Sequence, residues 1–132
     1  MKGTYILLIQ LTKDRVIDIG KLGSIDFKKG WYTYIGSGLN SLESRINRHL
    51  KSTKKLHWHI DYFLHEANIK YVFYKEGLIK EECDVANVFC QFFKSVLDFG
   101  CSDCSCSSHL FYGKKTELTK VIADLDFNQY IE

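Results

Sequence analysis

At 132 residues the chain has room for one hydrophobic core and not for two independent ones. Its 45% hydrophobic and 14% aromatic content excludes a disordered chain, and no apolar run reaches the roughly 20 residues that span a bilayer. A net charge of +2 is too small to mark a nucleic-acid binder by itself, and five cysteines, an odd number, argue against a disulfide framework. The N-terminus, Met1-Lys2-Gly3-Thr4-Tyr5, enters a strand pattern at once and offers no small-residue cleavage site, so a cytoplasmic location is expected.

In chain order, residues 4–11 form a nearly continuous apolar run, which predicts a central strand covered on both faces. Residues 16–19 and 24–27, with glycines at 20 and 23 between them, predict an extra hairpin. Residues 31–35 are the next strand, ending in a Gly36-Ser37-Gly38 turn. A helix follows, with Ser41 as N-cap, an apolar stripe of Leu42, Ile46 and Leu50, and Arg45 and His49 on a second stripe beside it. After a basic connector, residues 57–66 read as a helix with Trp58, Tyr62 and Phe63 inward, and residues 69–74 as a strand. Residues 81–97 read as a long helix with Val85, Val88, Phe89, Phe92, Phe93 and Val96 in the core. A short strand at 110–112 and a helix at 117–124 close the chain. The pattern is that of an α/β (α+β) domain occupying residues 1–132.

Several residue groups carry chemistry. A strand that delivers polar groups to a glycine turn, with cations on the next helix, suits an anion or phosphate: Gly36, Ser37, Arg45 and Arg48 here. Between Arg45 and Lys55 five Lys or Arg residues, including Lys54, occur with no acid, a patch suited to a polyanion. His57, Trp58, His59 and Asp61 form a second polar group, in which helical spacing lets Asp61 orient His57. The bland alternative is a helix cap with surface histidines. Cys101, Cys104, Cys106 and His109 have zinc-ligand chemistry at unusually tight spacing. The alternative is a buried thiol loop with Asp103 and His109 as polar site residues. Cys83 and Cys90 read as small core residues, and Trp31 and Tyr74 as packing residues that also suit base stacking.

Gly3-Thr4-Tyr5 at the start of one strand and Tyr34-Ile35-Gly36 at the end of a later one, followed by Arg45-Ile-Asn-Arg48-His49, resemble the GIY-YIG nuclease family. A more specific likeness is to its uncharacterised Uri-type branch, found alone or fused to DNA-repair glycosylases. That likeness is carried by residues 31–37, 45–50, 55–62 and 102–111 and so covers nearly the whole chain. The resemblance implies a small three-stranded antiparallel sheet, here with the extra hairpin, flanked by helices. It further implies a metal-dependent endonuclease that hydrolyses DNA phosphodiesters with Mg²⁺ or Mn²⁺, with DNA and a repair protein as partners and no membrane. Tyr5 and Tyr34 are the candidate bases, with His49 as the alternative. Arg45 is the phosphate-binding cation. Glu82 is the metal ligand, with Glu81 as its neighbour in the pattern. The gap between the two tripeptides is longer than in most members. The family's late asparagine has no counterpart, and Ser108-His109 stands roughly in its place. The rival expectation is a non-catalytic nucleic-acid-binding module on the same scaffold.

Overall fold

The computed structural model describes residues 1–38, 40–51, 55–78, 81–100 and 108–130. Its elements run β1 (Gly3–Leu11), β2 (Arg15–Asp18), β3 (Ser24–Phe27), β4 (Gly30–Gly38), α1 (Leu42–Leu50), α2 (His59–Leu64), β5 (Asn68–Glu76), α3 (Glu82–Phe92), β6 (Lys94–Ser95), β7 (Leu110–Gly113), α4 (Lys115–Asp124) and β8 (Asn128–Gln129). The result is a mixed α/β fold on an antiparallel sheet, ordered β6-β7-β4-β1-β5-β8, with β2 and β3 as a separate hairpin.

The sheet therefore has six strands where three were expected. The three nine-residue strands β4, β1 and β5 are its centre. The two-residue β6 and β8 are too short to produce a period-2 signal and owe their state to pairing with β7 and β5.

β1 explains the layers. Alternate side chains of a strand point to opposite faces, and here both faces are covered. Tyr5, Leu7, Ile9 and Leu11 meet α1, α2 and the hairpin through Leu42, Ile46, Ile60, Phe63 and Ile17. Ile6 and Leu8 meet α3 and α4 through Val85, Phe89, Leu118 and Ile122.

Helix boundaries differ from the expectation for local reasons. The 81–97 helix stops at Phe92 because Phe93 is extended (φ −129°, ψ 158°) and Lys94 pairs with Tyr112. Val96 thereby joins the opposite core, while Phe92 is 66% exposed and Cys90 is exposed too, neither being the core residue expected. In α1 the buried stripe is Leu42, Ile46 and His49, and Leu50 is 38% exposed. The helix turns its histidine inward in place of its last leucine. α2 is shorter than expected, starting at His59, and α4 begins at Lys115. No described helix is long and apolar enough to cross a membrane.

Candidate active site

Gly36, Ser37 and Gly38 are the end of β4 and not a turn, since their register continues through Tyr5↔Gly36 to Gly3↔Gly38. That pairing gives Gly36 its reason: a Cβ there would overlap the Tyr5 ring. The missing side chain thus makes room for the phenol opposite. Gly3 is fixed similarly, by the Lys75 carbonyl of β5.

The Tyr5 hydroxyl is 2.7 Å from His49 Nε2, a buried hydrogen bond between β1 and α1. Tyr34 closes the group, its ring 6.4 Å from Tyr5 and 6.2 Å edge-on from His49. Tyr5, Tyr34 and His49 are all buried. Burial pushes the Tyr5 phenol well above its usual value, opposed by the charge and hydrogen bonding of the Arg45 guanidinium. Tyr34 is raised for the same first reason, with the Tyr5 and Glu82 charges adding to it. In this state both phenols hold their protons, and His49 Nε2 is the ring nitrogen within reach of the Tyr5 hydroxyl.

The cations of α1 are organised by Trp58, which the sequence leaves open between a polar group and the core. The guanidinium carbons of Arg45 and Arg48 lie 4.5 and 4.3 Å from its ring centroid, and the His49 ring lies 5.9 Å away. Arg48 engages Asp61 with both terminal nitrogens, at 2.9 and 3.0 Å, and donates to the Lys55 carbonyl at 3.0 Å. Asp61 also accepts the backbone N–H groups of His57 and Trp58 at 2.9 and 2.8 Å. Burial alone would raise the Asp61 pKa, yet these hydrogen bonds and the Arg48 charge hold it below the usual carboxylate range. His57 precedes α2 and is exposed, so it does not share a helical face with Asp61. Asp61 clasps the backbone of that segment instead. His59 Nδ1 accepts the Gly100 N–H at 2.9 Å, tying α2 to the chain beyond Phe99, and burial lowers its pKa. The expected partners Ser37 and Lys55 are half-buried and exposed. Lys54, Cys101, Cys104 and Cys106 lie outside the described residues.

Glu82 reaches this corner from the other face of the sheet. β7 begins at Leu110, opposite Tyr34, so beyond that point β4 is bordered by the preceding segment, with the Ile35 N–H bonded to the His109 carbonyl at 3.0 Å. His109 is buried, its Nδ1 3.8 Å from Glu82 Oε2 and its Nε2 3.9 Å from Cys83 Sγ. Glu82, buried at the first turn of α3, is close enough that its charge raises both tyrosines. The corner thus gathers a phenol–imidazole pair, a guanidinium and a buried carboxylate, from β1, β4, α1 and α3. Such a group can pass a proton and hold an anion beside a carboxylate. Among the described residues no three His, Cys, Asp or Glu side chains form a metal-binding group.

The stacking of Arg45 and Arg48 on Trp58 was not legible because these partners lie across the basic connector, beyond any helical or strand period. The His-Trp-His pattern was the available signal.

No curated protein and no solved structure matches the chain. One family model does, over residues 4–128, from the first strand to the last. The chain therefore belongs to the family described as Domain of unknown function DUF123.

Proposed function

We propose that this chain is a divalent-metal-dependent endonuclease that hydrolyses DNA phosphodiester bonds, a GIY-YIG-type site on a larger sheet. The observation that carries the reading is the buried Tyr5–His49 hydrogen bond with Arg45 and Glu82 beside it. Phosphodiester hydrolysis needs a proton acceptor for the attacking water and positive charge for the phosphoryl oxygens. Tyr5 is placed to take the water proton while its own proton passes to His49 Nε2, so no free phenolate has to form in a buried site. The water oxygen bonds to phosphorus, the P–O bond to the leaving oxygen breaks, and that oxygen takes a proton from solvent. Arg45, held against Trp58, faces the equatorial charge with a planar fork. Tyr34 completes the wall of the site, and Ser37, beside Gly36, lies on the strand end the backbone of the substrate would follow.

A bound Mg²⁺ or Mn²⁺ would add Lewis-acid stabilisation of the phosphoryl oxygens. The residues fit such a hard cation: Mg²⁺ commonly takes one or two carboxylates and keeps its waters, and Glu82 is a buried carboxylate with His109 beside it. DNA and a repair-protein partner belong to the same proposal.

The test is cleavage of end-labelled duplex, nicked, flapped and single-stranded DNA with Mg²⁺ by wild type, Arg45→Ala and Glu82→Ala. Each substitution is expected to lower cutting about 100-fold or more. Cutting that survives both overturns the assignment. A second reading, a non-catalytic nucleic-acid-binding module, is favoured by the burial of Tyr5 and its raised pKa. Salt-dependent DNA binding with no cutting of any of the four substrates decides for it.

A further inference from the structure

At the opposite end of β4 from Gly36, Gly30, Trp31, Phe92, Phe93, Lys94 and Tyr112 line a groove of about 460 Å³. The arrangement follows from the early end of α3. Because the helix yields to β6 after Phe92, that ring projects from the last helical position, 66% exposed, while Phe93 folds inward toward Phe89. Phe93 lies against Gly113, where a Cβ would meet its ring at 2.6 Å, so the floor of the groove is built close. Lys94 and Lys114 sit on its rim, and Lys115 Nζ lies 5.1 Å from the Trp31 centroid and 5.3 Å from that of Tyr71. Among the described residues no carboxylate pairs with Lys94, Lys114 or Lys115, and Glu117 is the groove's acid. Lys28 and Lys29, both exposed, precede the strand at the mouth, where Tyr112 donates to the Lys29 carbonyl.

We infer that this groove binds a short stretch of single-stranded nucleic acid, its bases against Phe92 and its phosphates on Lys94 and Lys114. Lysines without a carboxylate partner match a polyanion, and an exposed ring beside them matches a base, because every base offers a face for stacking. An acidic peptide would use the lysines and leave Phe92 without a partner. The groove is separate from the Tyr5–His49 corner. Five residues of β4 separate Trp31 from Gly36, about 17 Å at ~3.3 Å per residue. Ten residues of α3 separate Phe92 from Glu82, about 15 Å at ~1.5 Å per residue. Trp31 also faces the α3–α4 side, whereas Tyr5 and Tyr34 face α1. The inference rests on the nucleic-acid reading of the protein but not on catalysis: the groove would hold an unpaired strand next to a point of cutting.

The experiment is fluorescence-anisotropy binding of a labelled oligothymidylate about six nucleotides long, with Arg45→Ala reporting any contribution of the Tyr5–His49 corner. Wild type, Phe92→Ala, Lys94→Glu/Lys114→Glu and Arg45→Ala are compared over a salt series, with thermal melts of each. Phe92 and both lysines are exposed, so the variants are expected to melt as wild type does. Phe92→Ala is expected to weaken binding about tenfold, the order found for loss of one stacked base. The lysine pair is expected to lower the slope of log affinity against log salt by about 1.4, two phosphates at ~0.7 each. Arg45→Ala is expected to bind within about twofold of wild type. Groove variants that bind like wild type, or a wild type that prefers polyglutamate to the oligomer, overturn the inference. Oligomer binding that follows the groove while no DNA is cut sinks the nuclease reading and leaves the groove standing.

Discussion

The Tyr5 hydroxyl does two things that one substitution separates. Tyr5→Phe keeps the ring that fills the space left by Gly36, and removes the hydroxyl with its bonds to His49 Nε2 and to the Arg45 guanidinium. The expected stability loss is about 1–2 kcal/mol, for a buried nitrogen deprived of that partner. The expected loss of cutting is about 100-fold or more if the phenol relays the proton. Urea unfolding and cleavage measured on one preparation distinguish the two, and equal small effects on both would remove Tyr5 from the chemistry. Gly36→Ala is the steric converse. Its methyl would meet the Tyr5 ring, and overpacking of this kind costs about 1–3 kcal/mol. Asp61 carries the pH dependence. Its carboxylate is depressed in the folded state, so its contribution is complete above the unfolded value of about 3.9 and falls away as pH drops through the lower folded value. Urea midpoints of wild type should therefore fall steeply below about pH 4. Asp61→Asn, already weakened at neutral pH, should lose less over that interval.

At the scale of elements, α1 is held as much by what it carries as by its apolar stripe. His49 enters the core, and Arg45 and Arg48 rest on Trp58, whose backbone Asp61 fixes at the start of α2. Trp58→Ala removes that platform and leaves every charge in place. The expected result is a marked fall in Arg45-dependent cutting, partly rescued by Trp58→Phe, which restores a flat ring. If Trp58→Ala cuts DNA as wild type does, Arg45 does not need the ring. Much of this was legible in the sequence. β1 declared itself by a nearly continuous apolar run, and Ser41 by its place before an amphipathic segment, where its hydroxyl does accept the Ser44 N–H. What escaped was set by partners distant in sequence. Leu50 fits the helical stripe as well as His49 does, and only the Tyr5 hydroxyl opposite decides which turns inward. The end of α3 depends on β7, and the state of Gly36 depends on Tyr5, so neither has a local signature.

For the molecule as a whole, burying tyrosines at the centre of both the sheet and the candidate site links stability to alkaline pH. Of eight tyrosines, Tyr5, Tyr34 and Tyr32 have their phenol values raised, in each case first by burial. Tyr32 is on the same face of β4 as Tyr34, and its hydroxyl donates to the Lys28 carbonyl at 2.6 Å. An unfolded chain ionises all its phenols near pH 10. The folded chain keeps these three protonated there, so it binds more protons than the unfolded chain, and stability falls as pH rises beyond about 10. The stabilising contribution is thus complete below that value and shrinks above it. On alkaline titration, phenolate absorbance should include a late component. These three should supply it, and only together with loss of the far-ultraviolet circular dichroism, since a phenolate in the closed core would lack hydration for its charge. Tyr5→Phe should remove part of the late component and make stability fall less steeply with pH above about 10, because one fewer buried phenol then favours the unfolded chain. Absorbance complete near pH 10 with the dichroism intact would mean that a phenolate is tolerated at the β1–β4 centre, and that the proton relay assigned to Tyr5 and His49 is not needed to avoid one.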